Sequence, residues 1–393
     1  MKTFAAVMTG KGTGAIATIR LFGPAAEDIL KQIFTAASGK SFGFVSGKIF
    51  LGTITSDANI IDEVIVGCET KDNFTISCHG NPLIVSDILR LLEQKGAAAV
   101  SYEQMLVQIY SHQPSTNTIS IEARLAISKA ATLDGTKILF NQIEGGLTET
   151  LQNWQKITAP DSIDKINSEA KTILQASKTA RFLIYGCKIV LAGPPNSGKS
   201  TLFNCLAGKE KAIAADIKGT TRDWVSAKCQ IGKLSAELFD TAGIDKSFCT
   251  GGTVEQQAQE KAYEILNQAD LMLLVLDVTE QKPLITEEFL EKLKKKSVLT
   301  ALNKCDLSAK FDKNILPLFL RERIIEISSK NNTGIENLIA QIQKISGIER
   351  FDSMQAVCFT KRQENLLQKI SESESDKTIL AAIAELLNGQ ASV

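Results

Sequence analysis

The stretch Lys188–Ala192 followed by Gly193-Pro-Pro-Asn-Ser-Gly-Lys-Ser200 decides the fold of this chain. Its first part is a short apolar run that predicts a buried strand, and its second part matches the phosphate-binding loop pattern GxxxxGK[ST]. A helix is predicted to begin near Lys199. In this order, backbone N–H groups of the loop surround a phosphate at the helix N-terminus. The stretch therefore predicts a parallel α/β sheet that binds a nucleoside triphosphate.

The loop also supplies charge and hydroxyl groups suited to phosphate chemistry. The Lys199 ammonium is a point charge for the β- and γ-phosphate oxygens, and the Ser200 hydroxyl is a ligand for Mg²⁺. The predicted nucleotide contacts of the loop are Asn196, Ser197, Gly198, Lys199, Ser200 and Thr201.

A second motif, Asn303-Lys-Cys-Asp306, follows the predicted strand Val298–Leu302 and selects the base. The Asp306 carboxylate can accept hydrogen bonds from N1–H and the exocyclic amino group of guanine, whereas adenine has no such pair of donors. Ser328, Ser329 and Lys330 follow a later predicted strand and can close over the base. Asn303, Lys304 and Asp306 with these three residues predict GTP rather than ATP as the ligand.

Two further motifs are predicted to sense the γ-phosphate. Asp240-Thr-Ala-Gly243 follows a predicted strand, so the Asp240 carboxylate is placed to hold Mg²⁺ through water and the Gly243 N–H to meet the γ-phosphate. Gly219-Thr-Thr-Arg-Asp223 supplies the hydroxyls of Thr220 and Thr221 to metal and phosphate. Four motifs in this order predict a switch GTPase.

The group that assists hydrolysis is less evident from the motifs. Ile244 occupies the position where Ras-like enzymes carry a glutamine that orients water. Arg222 is a candidate stabiliser of charge and Glu255 a candidate carboxylate for positioning water. For each of them, a solvated surface charge is the alternative interpretation.

The rest of the chain divides into segments that differ in the spacing of their apolar residues. Residues 1–117 contain short apolar runs broken by Gly and Asn, which predict an α+β domain. Residues 118–185 and 348–393 show helical spacing, and residues 186–347 alternate strands with helices. The predicted fold class is an α/β P-loop GTPase domain inserted into an α-helical domain, preceded by an α+β N-terminal domain.

Composition excludes several classes of protein. The 393 residues carry 44 Lys plus Arg against 44 Asp plus Glu, so no bulk charge attracts nucleic acid or membrane. Apolar runs fall short of a membrane span, and we expect a cytoplasmic protein. The eight cysteines form no CxxC pair and only two histidines are present, so we predict reduced thiols and no transition metal.

With these motifs in place, the chain resembles the MnmE (TrmE) family of tRNA-modification GTPases. The segments that carry the resemblance are Phe4–Pro24, Cys78-His-Gly-Asn-Pro82, Gly193–Ser200, Ala214–Asp223, Asp240–Ile244 and Val254-Glu255. The resemblance implies that Asn196, Thr220 and backbone groups of Ala215 and Ile217 bind K⁺, and that Ser200 and Thr221 bind Mg²⁺. It also implies that Glu255 positions the attacking water and that K⁺ replaces an arginine finger.

The resemblance further implies a folate derivative bound near Arg20, a homodimer formed through residues 1–117, and an FAD-dependent partner in wobble-uridine modification. Arg20 as a half-buried structural residue is the alternative. Lys292-Leu-Lys-Lys-Lys296 is the one basic cluster, and its acidic neighbours predict a solvated face rather than a direct tRNA contact.

The C-terminal part departs from the family, whose members end in C-I-G-K, because no cysteine follows Cys358 here. Two alternatives to tRNA modification therefore stay open. One is a divergent switch GTPase that binds another partner, and the other is a nucleotide-binding scaffold without turnover.

Overall fold

The structure is a computed structural model. It describes residues 2–10, 12–37, 43–56, 59–113, 116–156, 162–208, 225–240, 266–283 and 285–391. The chain divides into two compact units, of which one comprises Met1–Leu125 with Asn388–Val393 and the other comprises Ala126–Leu387.

The first unit is built on a seven-stranded sheet. Its strands are β1 (Phe4–Val7), β2 (Ile16–Phe22), β3 (Phe34–Ala36), β4 (Lys48–Ser56), β5 (Asn59–Thr70), β6 (Asn73–His79) and β7 (Ala98–Ala99). They lie in the order β3-β4-β5-β6-β2-β1-β7. Neighbours are antiparallel except β7, which pairs with β1 in parallel.

Strict alternation of side chains gives this sheet one buried face. Ile19 and Leu21 on β2 and Phe74 and Ile76 on β6 are fully buried, while the residues between them point to the other face. The buried side chains pack with helices α1 (Ala26–Ile33) and α2 (Pro82–Gln94). Helices α3 (Tyr102–Ser111) and α4 (Thr118–Ile127) follow in the chain, and Leu106, Ile121 and Leu125 share a smaller cluster.

The second unit contains helices from both sides of the α/β segment. They are α5 (Leu133–Glu144), α6 (Gly146–Lys156) and α7 (Ser162–Tyr185) before it, and, after it, the helices Lys361–Ser371 and Asp376–Asn388. Buried Gln142 on α5 joins the two flanks, because its Oε1 accepts from Val357 N at 3.1 Å and its Nε2 donates to Gln355 O at 3.1 Å. Helix α7 also packs on Lys361–Ser371.

The α/β segment forms a six-stranded sheet. Its strands are β8 (Cys187–Ala192), β9 (Val225–Ile231), β10 (Leu234–Asp240), β11 (Leu271–Asp277), β12 (Val298–Asn303) and β13 (Ile324–Glu326). They lie in the order β13-β12-β11-β8-β10-β9, and all pairs are parallel except the hairpin of β9 and β10. Every residue of β12 and the first six residues of β11 are buried, as expected for parallel strands covered on both faces.

Helices connect and cover these strands. They are α8 (Lys199–Gly208), α9 (Glu287–Leu293), α10 (Leu318–Arg321) and α11 (Ile335–Ile345), and the two helices after the segment are α12 (Lys361–Ser371) and α13 (Asp376–Asn388). The predicted fold class is confirmed, including the strand before the phosphate loop and the helix that begins at Lys199. The borders of the four predicted segments, 1–117, 118–185, 186–347 and 348–393, stay a prediction.

In the part of the chain that the structure describes, no helix is both long enough and apolar enough to span a bilayer.

Candidate nucleotide site

The predicted nucleotide residues lie where strands of the parallel sheet end. β8 ends at Ala192 before the phosphate loop, β10 ends at Asp240, and β12 ends at Asn303. Because these strands are parallel, their carboxyl ends meet at one edge of the sheet, where ligands of open α/β sheets bind. The loops that the sequence assigns to phosphate and base therefore share this edge.

The phosphate loop has a backbone shape that its sequence makes possible. Gly193 and Gly198 have φ values of +149° and +94°, which few residues with a side chain adopt. A Cβ on Gly193 would lie 2.1 Å from Val275 O, and one on Gly198 would lie 2.2 Å from Asn303 Nδ2. Asn196 is left-handed at φ +61°, which asparagine tolerates better than most residues. The glycines of the motif are thus required by close neighbours as well as by φ.

Lys199 is held inside this loop. The residue is 4% exposed, and Nζ donates to Gly193 O at 3.1 Å and to Pro194 O at 2.8 Å. Ser197 is also buried, and its Oγ has no hydrogen-bond partner among the described residues. Ser200 and Thr201 lie in the first turn of α8 and are exposed. The loop presents an ammonium, hydroxyls and a helix N-terminus, which together suit a phosphate.

Asn303 connects the phosphate loop to the base loop. Its Nδ2 donates to Ser197 O at 2.9 Å, and its Oδ1 accepts from Ser329 N and Ser329 Oγ, both at 3.0 Å. The residue is 2% exposed, and these three bonds use both ends of its amide. Asn303 therefore acts as a brace between the two predicted binding loops.

Lys304 makes a second connection between the loops. It is left-handed at φ +66°, and its Nζ lies 2.8 Å from Asn196 O and 2.5 Å from Asp277 Oδ2. Burial works to raise the pKa of Asp277, but the Lys304 ammonium and the Thr279 donors outweigh it and hold that pKa below its ordinary value. Asp277 is a site residue that sequence analysis missed, although it ends a buried strand beside β8 and β12.

The carboxylate that the sequence assigns to the base, Asp306, is exposed and ionised. The Ser328 hydroxyl, with a smaller contribution from Lys330, lowers the pKa of Asp306 below its ordinary value. Ser328 and Ser329 are buried, and Ser328 forms a backbone bridge with Thr333. Lys330 is exposed beside them. An ionised carboxylate next to this fixed loop matches the two adjacent donors of guanine.

Of the other predicted site residues, the structure describes Asp240 and Arg20 and does not describe the rest. Asp240 ends β10, is 5% exposed and is opposite Leu191 in the register with β8. The remaining predicted residues lie outside the described ranges; they are Ala215, Ile217, Thr220, Thr221, Arg222, Gly243, Ile244 and Glu255.

Arg20 belongs to the first unit and lies on β2, which ends at Phe22. It pairs with Glu69, and its Nε donates to Asn73 Oδ1 at 2.8 Å. The Arg20 side chain is 18% exposed, so the guanidinium is part of a polar cluster on the sheet face of the first unit. Both expectations for Arg20, folate contact and structural residue, remain predictions.

His79 on β6 is a further polar residue of that sheet. Its Nδ1 is 2.7 Å from Asp62 Oδ1, and its backbone N donates to Asp62 Oδ2 at 2.8 Å. The buried carboxylate orients an exposed imidazole, whereas neighbouring Cys78 is buried on the opposite face and burial raises its pKa to about 11. Asp62 was not singled out by sequence, because its partner is 17 residues away in the chain.

Comparison with known proteins gives two family matches. Residues 188–304 match the family described as 50S ribosome-binding GTPase, and residues 3–102 match the family described as GTP-binding protein TrmE N-terminus. Among solved structures, the FeoB G domain of Methanococcus jannaschii aligns with 41% of this chain and 97% of its own length, at 23% identity and a TM-score of 0.32. That structural likeness carries no part of the assignment.

Curated relatives match almost the whole chain. A tRNA modification GTPase MnmE of Clostridioides difficile is 29% identical, over 96% of this chain and 89% of the relative. A protein of the same name from Desulforamulus reducens is 31% identical, over 86% of this chain and 80% of the relative. With this coverage and with both domain families in order, the chain belongs to the MnmE (TrmE) family of tRNA modification GTPases and is a GTP-binding, GTP-hydrolysing enzyme.

Proposed function

We propose that this GTPase hydrolyses GTP with Mg²⁺ and K⁺ and that its cycle serves the modification of wobble uridine in tRNA. The observation that carries the proposal is the joined pair of loops, in which Asn303 bonds both Ser197 O and Ser329. Through these hydrogen bonds, Asn303 fixes the loop proposed to select guanine relative to the loop proposed to bind the phosphates. Hydrolysis can thereby be restricted to one nucleotide.

The residues present suit a divalent cation. Asp240 is a buried carboxylate at the edge that holds the phosphate loop, and Ser200 offers an exposed hydroxyl there. Oxygen donors of this kind are those Mg²⁺ prefers, with substrate phosphates and water completing its sphere. Ser200, Thr221 and, through water, Asp240 would hold the ion, which neutralises charge on the β- and γ-phosphates.

A monovalent cation is proposed beside the same loop. Asn196 of this loop is exposed and left-handed, and its side chain carries an amide oxygen of the kind that binds a cation. Asn196 and Thr220, with backbone oxygens of Ala215 and Ile217, would hold K⁺. The added charge would stabilise the transition state without an arginine from another protein.

The chain's own groups then have distinct tasks. Lys199 binds the β- and γ-phosphates in exchange for its two loop carbonyls, and Asp306 accepts the two guanine hydrogen bonds. Glu255 positions the attacking water, and Arg222 is the second candidate for stabilising charge. The Thr221 hydroxyl and the Gly243 N–H respond to the γ-phosphate, which makes their segments the switch.

The wider pathway is proposed from the relatives, which are named tRNA modification GTPases. We propose a homodimer, an FAD-dependent partner, and a folate derivative near Arg20 as the one-carbon source. Arg20 already has the Glu69 carboxylate beside it, so a folate carboxylate must displace that partner. Titration of the protein with 5-formyltetrahydrofolate, compared between the natural chain and Arg20→Gln, tests this part.

The first test is steady-state GTP hydrolysis in KCl against NaCl at equal ionic strength, with ATP as the control substrate. We expect K⁺ stimulation that Asn196→Ala abolishes while GDP binding is kept. Asn204→Ala is the matched control, since Asn204 is an exposed asparagine on α8 beyond the loop. Equal rates in both salts would contradict K⁺ assistance.

The second test concerns tRNA and separates the proposed GTP hydrolysis from the proposed role in tRNA modification. Nucleoside analysis of total tRNA from cells with and without this gene should show loss of the modified wobble uridine in the deletion. An unchanged profile, together with intact GTP hydrolysis, would favour a switch GTPase that serves another partner.

A further inference from the structure

A cavity of about 840 Å³ lies at the edge of the parallel sheet opposite the nucleotide site. It is lined by the first residues of β8 and β10, by Lys228 of β9, and by the last two turns of α7. β8 runs from this cavity to the phosphate loop, and β10 runs from it to Asp240. The cavity is therefore separate from the nucleotide site and lies at the other ends of the same two strands.

Cationic side chains predominate in the lining. They are Lys129, Lys178, Arg181, Lys188 and Lys228, against two carboxylates, Glu237 and Asp270. Within the described ranges, no carboxylate lies within 4.0 Å of the ammonium of Lys178 or Lys228. Because cations crowded into a cleft raise the local concentration of anions, this lining favours an anionic ligand.

The two carboxylates do not cancel this charge. Asp270 Oδ2 accepts from Lys188 N at 2.8 Å, so that carboxylate is engaged in fixing the start of β8. Glu237 is opposite Lys188 and Lys228 in the strand register, so this single carboxylate faces two cations. Arg181 has one outside partner, Glu364, at 3.5 Å, and Lys188 Nζ donates to Gln268 at 3.1 Å.

An aromatic wall completes the cavity. Tyr185 is 43% exposed, and its hydroxyl donates to Phe359 O at 2.7 Å, which fixes the ring at the cavity wall. Phe182, one turn earlier on α7, also lines it. A site with apolar rings and several cations suits an organic molecule that carries phosphates, and the volume is typical of small-molecule sites.

We propose that this cavity is a second binding site, which takes a phosphate-bearing ligand of about nucleotide size. The phosphates meet Lys178 and Lys228, and the organic part lies against Tyr185. The same chemistry is offered by a small phosphorylated molecule and by an exposed nucleotide of RNA, and the experiment separates these sources.

The experiment uses the full chain saturated with GDP, so that the phosphate loop is filled. Tripolyphosphate is titrated into it by calorimetry at low and moderate salt. We expect salt-sensitive binding that Lys178→Glu with Lys228→Glu weakens roughly tenfold or more. Lys171→Glu with Lys233→Glu is the matched control, since both are exposed lysines outside the cavity, one on α7 and one beside β9.

The outcomes of this titration decide the proposal. Absence of binding to the GDP-loaded protein, or equal weakening by the control pair, would overturn it. If charge reversal disturbs folding, Lys178→Gln with Lys228→Gln should still weaken tripolyphosphate binding while GDP binding persists. An unmodified tRNA transcript that displaces tripolyphosphate identifies RNA as the source of the phosphates, whereas displacement only by a nucleotide such as AMP identifies a small molecule.

Discussion

The two sheets of this protein use their strands differently. In the parallel sheet, candidate functional residues follow strand ends, and the side chains of Lys199, Asn303 and Lys304 all bond the backbone of the phosphate loop. In the antiparallel sheet, Arg20 on β2 and His79 at the end of β6 are held by side chains of β5, Glu69 and Asp62. The first arrangement fixes loops, and the second leaves polar groups arranged on a surface.

This difference governs how strongly function should depend on single residues. A loop braced by buried hydrogen bonds has few alternative conformations, so loss of one brace or charge affects the whole site. An ion pair with one largely exposed member, such as Arg20 with Glu69, can rearrange its side chains at smaller cost. We therefore expect large effects at the parallel sheet and small ones at the antiparallel sheet.

The largest effect is expected for Lys199→Ala. The substitution removes the one buried ammonium of the phosphate loop, and we expect kcat for GTP to fall roughly 100- to 1,000-fold. Single-turnover GTP hydrolysis measures it, with Lys233→Ala as an exposed control. A decrease in kcat of less than tenfold would contradict the contrast between the two sheets, because the loop would then act through its backbone alone.

Asp306→Asn should produce the next largest effect. The amide cannot accept both guanine hydrogen bonds, so GTP affinity should fall roughly 10- to 100-fold while xanthosine triphosphate gains. Competition between the two nucleotides at equilibrium measures it. Retained guanine preference would remove Asp306 from the base site.

Asp277→Asn tests the bond that sequence analysis missed. The pair with Lys304 is partly exposed, and we expect a loss of about 1 kcal/mol in the free energy of unfolding at pH 7. Because the pKa of Asp277 is lowered from 3.8, its stabilisation is fully present above pH 3.8 and declines as the pH falls through the lowered pKa. Urea unfolding at pH 7, 5 and 3 should therefore show the difference from the natural chain shrink only at pH 3.

If the difference in the free energy of unfolding between Asp277→Asn and the natural chain stayed constant down to pH 3, the stabilising role of the Asp277 carboxylate would be contradicted. Glu280→Gln serves as the control, since Glu280 is exposed and follows the same strand. It should leave the free energy of unfolding unchanged at each pH.

Glu69→Gln should have the smallest effect. Glu69 is 49% exposed, so its ion pair with Arg20 should contribute less than about 1 kcal/mol to the free energy of unfolding. Thermal unfolding of the variant checks this. A larger loss would show that the antiparallel sheet depends on its polar cluster as the parallel sheet depends on its loops.

The same contrast explains what sequence could predict. The strand, loop and helix at residues 188–208 were predicted because motif, apolar run and helix start are adjacent in the chain. Asp277 was missed because its role comes from the register that sets it opposite Asn303. The strand order of the first sheet was not predicted either, since alternation shows which face is buried and not which strands are neighbours.

The left-handed residues of the two loops have a kinetic consequence. Asn196 and Lys304 each adopt a backbone conformation that costs about 1 kcal/mol or more for residues with a side chain, and the Lys304 ammonium bonds Asn196 O across the gap. Folding has already absorbed this cost before any nucleotide arrives. Guanine nucleotides should therefore meet a phosphate loop and a base loop whose backbones are preorganised, and their association should be limited by diffusion and the release of Lys199 rather than by rearrangement of these two loops.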